Sequence, residues 1–453
     1  MIFLVFSSIE FLLIFLPIFL IVYVLTPNPF KNGVLLAGSL LFYALGAPRY
    51  LVILMLSVLM NFLFGKLLGE RVHRRGKGKL LLGVAVFLNV SVLVVCKYLW
   101  KELPLGISFY TFQVISYLVD VCRTEIDGET NFVRFATYIT MFPRVVSGPI
   151  VKYGEVRDDL LYREFTPGGF EDGMKLFTVG LAAKVLLADR LGFLWQEVQV
   201  TGFESISTAL SWMAAAAYSL KIYFDFAGYS LMAVGLGRIL GFELPRNFNH
   251  PYMALSVREF YHRWHMTLGN WFKQYVYIPL GGNRKGGLRT IFNLFLVWIL
   301  TAFWHGETAN FLLWGMILWL LITIEKGMAA LGTGKLLEYR MVRLLVHVLV
   351  PVVIALTWIC FAITDLSQLQ VYLMRMFGIG DGIRVSAGDW LRAWKNYWYL
   401  FAAGAVACTP LLEKIYLRWK DRIWFSTLLA VLFWICVWRV RVEGNNPFMY
   451  SGF

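Results

Sequence analysis

Two short runs of this sequence hold histidines where an ionisable side chain needs a reason. His305 lies in Phe303-Trp304-His305-Gly306-Glu307, inside an apolar stretch over 290–324 whose only ionisable members are His305 and Glu307. At such a position a histidine serves either as a proton acceptor for a substrate hydroxyl or as a proton carrier in transport. The structural alternative is a ring that donates one hydrogen bond between helices. Gly306 permits a tight turn and close approach of a substrate, and Glu307 marks the return of the chain to water. The second run is Glu259-Phe260-Tyr261-His262-Arg263-Trp264-His265. On one helix, His262 and His265 would share a face at i, i+3. The spacing is not the HExxH of zinc proteases and no third ligand is evident, so no metal is expected. The structural alternative is an amphipathic helix whose Arg258, Arg263 and Trp264 meet lipid headgroups.

Three further features carry potential chemistry. Asp225, in Tyr223-Phe224-Asp225-Phe226, interrupts an apolar run, where it either acts on substrate or pairs with a neighbouring cation. The loop Pro279-Leu280-Gly281-Gly282-Asn283-Arg284-Lys285-Gly286-Gly287 is basic and glycine-rich. It lacks the GxxxxGK[ST] order of a P-loop, yet it suits the phosphates of a nucleotide-like donor; an ordinary basic connection is the alternative. Met141-Phe142-Pro143-Arg144-Val145-Val146-Ser147-Gly148-Pro149 must break a helix and is expected to be a re-entrant segment. With no Gly-x-Ser-x-Gly elbow and no Cys–His arrangement, base catalysis on a hydroxyl and proton handling in transport stay side by side.

The elements that position these groups are membrane helices. Of 453 residues, 59% are hydrophobic and 15% charged, against about 25% charged in soluble domains. A spanning helix needs about 20 apolar residues. Apolar segments fall near 5–25, 33–46, 50–65, 80–99, 105–121, 132–151, 173–193, 207–226, 229–241, 290–304, 309–324, 344–363, 397–412 and 424–438. The expected fold is all-α and polytopic, with about ten to twelve transmembrane helices plus re-entrant segments. It is read as one membrane domain over 1–453, with 242–289 as an amphipathic insertion. The segment 290–304 would be only about 22 Å long as a helix. With basic residues at both flanks, 290–324 reads as a hairpin carrying His305 near its tip, deep in a thinned part of the protein.

The formal charge of +14 is dispersed in short blocks: Arg71, Arg74, Arg75, Lys77 and Lys79; Arg284, Lys285 and Arg289; Arg418, Lys420 and Arg422. Such blocks follow the positive-inside rule for cytoplasmic loops, and they argue against a nucleic-acid-binding surface. If the first three segments cross and the block at 71–79 is cytoplasmic, the N-terminus lies outside. Seventeen Trp and 22 Tyr suit interfacial belts. Five scattered Cys without a CxxC pair offer neither a disulfide framework nor a zinc site. The first cation is Lys31, so Met1 to Thr26 reads as a membrane helix and not as a signal peptide.

Several runs, in order, resemble the membrane-bound O-acyltransferase superfamily, in its alginate O-acetylase-like branch. They are PLGISFYTFQVISYLVD at 104–120, FPRVVSGPI at 142–150, GLAAKVLLAD at 180–189, FDFAGYSLMAVGLGRILGFELPRNFNHPY at 224–252, EFYHRWHMTLGNWFKQYVYIPLGGNR at 259–284 and FWHG at 303–306. The resemblance covers essentially the whole chain and is densest over 104–330. It implies a multi-helix protein of the cell membrane with a central funnel, moving an acyl group from a cytoplasmic thioester to an extracytoplasmic acceptor. The implied donor is acetyl-CoA, as substrate and not as a bound cofactor. The implied acceptors are hydroxyls of envelope or secreted polysaccharides, often through an acyl-accepting partner protein.

The family's principal histidine maps onto His305 and its supporting histidine onto His265. His262, Asp225 and Trp304 are candidate supporting residues, and Asn283 and Arg284 a candidate donor-side loop; His262 has no counterpart in the family pattern. Leu231, Lys273-Gln274 and Gly269 depart from residues the family commonly carries, and none of them touches the His305 motif. A branch that transfers D-alanine to teichoic acid shares the RWHM and WHG motifs but usually lacks YIPLGGNR. A transporter or flippase without acyl chemistry is the reading from another class; the absence of a detectable inverted repeat and the few buried charges weigh against it.

Overall fold

In the computed structural model, residues 5–75, 78–100, 103–379, 388–444 and 448 are described, residues 73–75 by their backbone alone. Of the first basic block, Lys77 and the side chains of Arg74 and Arg75 therefore lie outside the described residues. Among those described, the regular elements are all helices. Six are long and apolar enough to cross a bilayer: Pro48–Val72, Lys79–Leu99, Gly287–His305, Ala309–Ala330, Arg340–Ala362 and Ile423–Glu443. The pair Asp389–Ala407 and Leu411–Trp419, bent by 69°, adds a seventh if it is one broken span, and Phe11–Leu25 and Ile107–Cys122 are shorter apolar helices. Only helices satisfy every backbone N–H and C=O within their own segment in lipid. The large apolar side chains they leave exposed, such as Leu313, Leu320 and Ile324, suit lipid contact. The chain is an all-α polytopic membrane protein.

The chain forms two compact units that interleave in sequence. One comprises Met1–Ala182, Gly228–Arg246 and Ser426–Phe453; the other comprises Ala183–Ala227 and Asn247–Phe425. Within the first, Phe11, Phe15, Phe19 and Phe42 pack around Phe142 at ring distances of 5.2–6.2 Å. The spans Pro48–Val72 and Lys79–Leu99 are tied by reciprocal amide hydrogen bonds of Asn61 and Asn89, at 3.0 and 2.8 Å. Such pairs satisfy polar groups that lipid cannot. As the prolines require, the 132–151 segment is broken: Phe132–Thr140 ends, Met141 turns, and only Phe142–Val145 resumes helix. Every residue from 135 to 151 is buried, so this irregular backbone is enclosed in protein.

The apolar segments at 207–226 and 229–241 are not separate. Thr208–Ile239 is one helix of 32 residues, running straight through Ala227-Gly228. A glycine inside a helix costs only about 1 kcal/mol relative to alanine, and here glycines serve close packing. A Cβ on Gly180 would lie 2.5 Å from the Gly228 carbonyl oxygen, and one on Gly173 would lie 2.5 Å from that of Gly235. Helix Pro167–Ala182 thus meets this helix along a glycine seam with the same spacing of seven on both partners.

The second unit holds the expected hairpin, but with different proportions. Its first helix begins at Gly287, ahead of Thr290, and ends on His305, giving 19 residues or about 28 Å. Thr290 Oγ1 donates to the Gly286 carbonyl at 2.9 Å, satisfying a polar group at the start of the helix. The expected local thinning is therefore not needed, because the helix is close to the usual ~30 Å of hydrocarbon on its own.

Candidate functional site

His305 is the last residue of Gly287–His305, and Ala309–Ala330 follows after three residues. Its ring is buried, walled by Trp304 at 4.6 Å, Trp314 at 5.0 Å, Phe361 at 5.1 Å and Phe311 at 6.4 Å between centroids. Two features hold this tip. Gly306 has φ −177°, ordinary extended backbone, so no special turn explains it. A Cβ there would lie 2.1 Å from the Phe311 ring; glycine is needed because Phe311 fills the space. Asn310, fully buried, donates through Nδ2 to the Cys360 and Phe361 carbonyls, both at 3.1 Å. It fastens the tip to the end of Arg340–Ala362. This amide escapes a search of the apolar stretch for ionisable groups, although an Asn in such a run is itself a signal.

His265 does not share a helix face with His262. Val257–Arg263 ends before it and Met266–Phe272 begins after it. Between them His265 adopts φ 44°, the left-handed region that side chains with a Cβ rarely enter. His262 is left exposed on the last turn of its helix while His265 is buried. The His265 ring meets Phe226 edge-on at 4.7 Å and Trp304 at 6.3 Å. The indole of Trp304 therefore touches both histidine rings. Asn247 Oδ1 lies 3.0 Å from His265 Nδ1. Burial lowers the pKa of His265 from 6.5 to about 3, because a charged imidazolium would lose its hydration; the ring is neutral at physiological pH. For His262, partial burial and then the charges of Arg258 and Lys273 also lower it.

The carboxylate of Glu325 positions the segment that leads to His265. It accepts the Val257 and Arg258 N–H groups at 2.6 and 2.9 Å, a negative charge on a helix start. The next residue, Lys326, donates to Asn283 Oδ1 at 2.7 Å, and Tyr277 donates to the same oxygen at 2.6 Å. The end of one hairpin helix thus secures both the histidine segment and the glycine-rich loop. That loop turns on Gly281, Gly282 and Gly286, with φ of 107°, 54° and 88°, which glycine alone adopts without strain. Asn293 Nδ2 closes it onto the Gly282 carbonyl at 3.1 Å. Asn283 and Arg284 are exposed.

Asp225 is buried and lies 2.8 Å from Lys184 Nζ, which is also 2.6 Å from Asp189. This is the paired arrangement. Its neighbour Phe226, and not Asp225 itself, supplies the ring contact with His265. Among the described residues no three His, Cys, Asp or Glu side chains gather in a way that could hold a metal ion.

Two buried histidine rings packed on one indole, in a polytopic α-helical chain, define a membrane-embedded protein with ionisable side chains gathered in an apolar setting. Residues 50–366 match the model of MBOAT, the membrane-bound O-acyltransferase family, and the chain belongs to that family; it is an O-acyltransferase. It is 35% identical to "Probable alginate O-acetylase AlgI" of Pseudomonas fluorescens, over 83% of this chain and 76% of that one. It is 30% identical to "Peptidoglycan O-acetyltransferase" of Helicobacter pylori, over 83% and 80%. With "Teichoic acid D-alanyltransferase" of Bacillus subtilis it shares 28% identity, over 47% of this chain and 56% of that one.

Proposed function

We propose that this enzyme, in the cell's inner or plasma membrane, takes an acetyl group from acetyl-CoA on the cytoplasmic side. It delivers the group to hydroxyls of an envelope or secreted polysaccharide on the other side, directly or through an acyl-accepting partner protein. The acetyl reading is supported by likeness to the alginate and peptidoglycan O-acetylating proteins over 83% of the chain, against 47% for the D-alanyltransferase. Membership of an acyltransferase family favours chemistry over bare transport.

His305 is the general base. Its ring takes the proton of the acceptor hydroxyl as that oxygen attacks the acetyl carbonyl carbon. The C–S bond then breaks, and the departing thiolate takes up a proton, so that ester and free CoA leave. Such help contributes typically 10²–10⁴-fold. His265 supports the reaction near the thioester, and Trp304 keeps the two rings in register. On the donor side, the exposed Arg284 meets CoA phosphates beside Asn283, with His262 exposed as a helper. Asp225 acts structurally, through its pair with Lys184. The observation that carries the reading is the contact of Trp304 with both His265 and His305.

The test supplies membranes bearing the enzyme with either acetyl-labelled acetyl-CoA or a D-alanyl-charged carrier protein, and counts label in the polysaccharide fraction. Label should come from acetyl-CoA and fall by at least about 100-fold in His305→Ala, with the variant present at normal levels. Retained transfer in the variant would sink the role of His305. Label from the carrier alone would replace acetyl by D-alanyl.

A further inference from the structure

We infer that Asn247 sets the tautomer of His265, holding the ring proton on Nδ1 and leaving the Nε2 lone pair as the basic position. Asn247 is thus a positioning residue for acyl transfer; that second statement rests on the reaction proposed above, whereas the tautomer does not.

The argument turns on one atom. Asn247 is buried, and its side-chain oxygen meets three groups: the Thr267 backbone N–H at 3.2 Å, the Thr267 hydroxyl at 3.0 Å and His265 Nδ1 at 3.0 Å. A backbone N–H can only donate. The amide atom facing it is therefore the carbonyl oxygen, since an inverted amide would set NH₂ against N–H. An oxygen that accepts cannot also supply a proton to the ring, so His265 Nδ1 must carry its own. In a neutral imidazole the other nitrogen is then an acceptor.

The backbone keeps this geometry fixed. The Met266 N–H donates to the Asn247 carbonyl at 2.9 Å, and the Asn249 N–H donates to the Arg263 carbonyl at 3.0 Å. These bonds flank His265 and hold it in the left-handed conformation, which a residue with a Cβ rarely adopts. The choice of an amide is also informative. Asn247 Nδ2 has no hydrogen-bond partner among the described residues. Aspartate would remove that orphan donor but would bring a negative charge that favours the imidazolium, which has no lone pair. An uncharged acceptor preserves the neutral ring, in agreement with its depressed pKa.

The consequence for mechanism is specific. Through Nε2, His265 accepts a hydrogen bond or a proton; it does not donate to the oxyanion of the attacked carbonyl. Where a partner residue fixes the tautomer of a catalytic histidine, its loss costs up to about 10⁴ in rate.

Nitrogen-15 NMR of the full chain in lipid nanodiscs, labelled on histidine, tests this directly. His265 is assigned by the signals lost in His265→Gln. The wild type should show a protonated Nδ1 and an unprotonated Nε2. Asn247→Ala, and Asn247→Leu as a variant of similar volume, should move the proton toward Nε2 and lower acetyl transfer from acetyl-CoA by about 10²-fold or more. A wild-type ring protonated on Nε2 would overturn the inference, whatever the variants do. Variants with unchanged spectra would do the same. A shifted spectrum with an unchanged transfer rate would overturn the positioning role alone. If the wild type transfers no acetyl at all, the functional reading fails while the spectrum still decides the tautomer.

Discussion

Burial couples the protonation of His265 to folding. Its pKa falls from 6.5 to about 3 in the folded protein, so between those values the unfolded chain binds a proton that the native chain does not. Stability then rises with pH across this window. The contribution is fully present above about 6.5 and is lost progressively as pH falls toward 3. Thermal melting in nanodiscs should therefore drop as pH is lowered from 7 toward 4. His265→Gln, which cannot take up the proton, should show a shallower decline over the same range. An unchanged pH slope in that variant would show that the ring titrates freely when folded.

Among the elements, the sharpest dependence is at Lys184. It sits in the π-helical turn Ala183–Ala188, which joins Pro167–Ala182 to Asp189–Thr201, and it reaches both Asp189 and Asp225. Removing one partner of a buried pair costs about 3–5 kcal/mol, because a charge is left uncompensated. Lys184→Met strands two buried carboxylates and should lower the melting temperature more than Asp225→Asn, which leaves Lys184 with Asp189. If Asp225 instead acted on substrate, Asp225→Asn would abolish transfer while melting normally. The two measurements together separate a strut between helices from a reacting group. The glycine seam at residues 173, 180, 228 and 235 works by another route, letting two backbones approach where any Cβ would collide.

At the scale of the whole molecule, the sidedness proposed for the reaction requires that the loop proposed to meet the donor face the cytoplasm. Arg284, Lys285 and Arg289 are all exposed and form one of the basic blocks that the positive-inside rule assigns to that face. Arg284→Cys, in a cysteine-free background, should react with a membrane-impermeant maleimide only after the cells are opened. Labelling in intact cells would place the loop outside and overturn the donor-side assignment. The background is accessible because Cys96, Cys360, Cys408 and Cys436 are buried and none of the five cysteines is paired.

Composition and the recurrence of apolar segments already dictated a helical membrane protein, because lipid admits few other ways to satisfy a backbone. The His305 hairpin was legible too, since an ionisable group in an apolar stretch flanked by cations has few other placements. Local pattern does not reach further than a few helical turns. It could not show that Thr208–Ile239 runs through Ala227-Gly228, because whether a glycine breaks a helix or seats a neighbour depends on the neighbour. It placed His262 and His265 on one face, whereas the backbone hydrogen bonds Met266 N–H to Asn247 C=O and Asn249 N–H to Arg263 C=O hold a left-handed turn between two helices. It offered no reason to connect Asn247 with His265, or Asn310 with Cys360. Those contacts join groups distant along the chain, and only the packed structure, which buries them away from solvent, makes each such group need its partner.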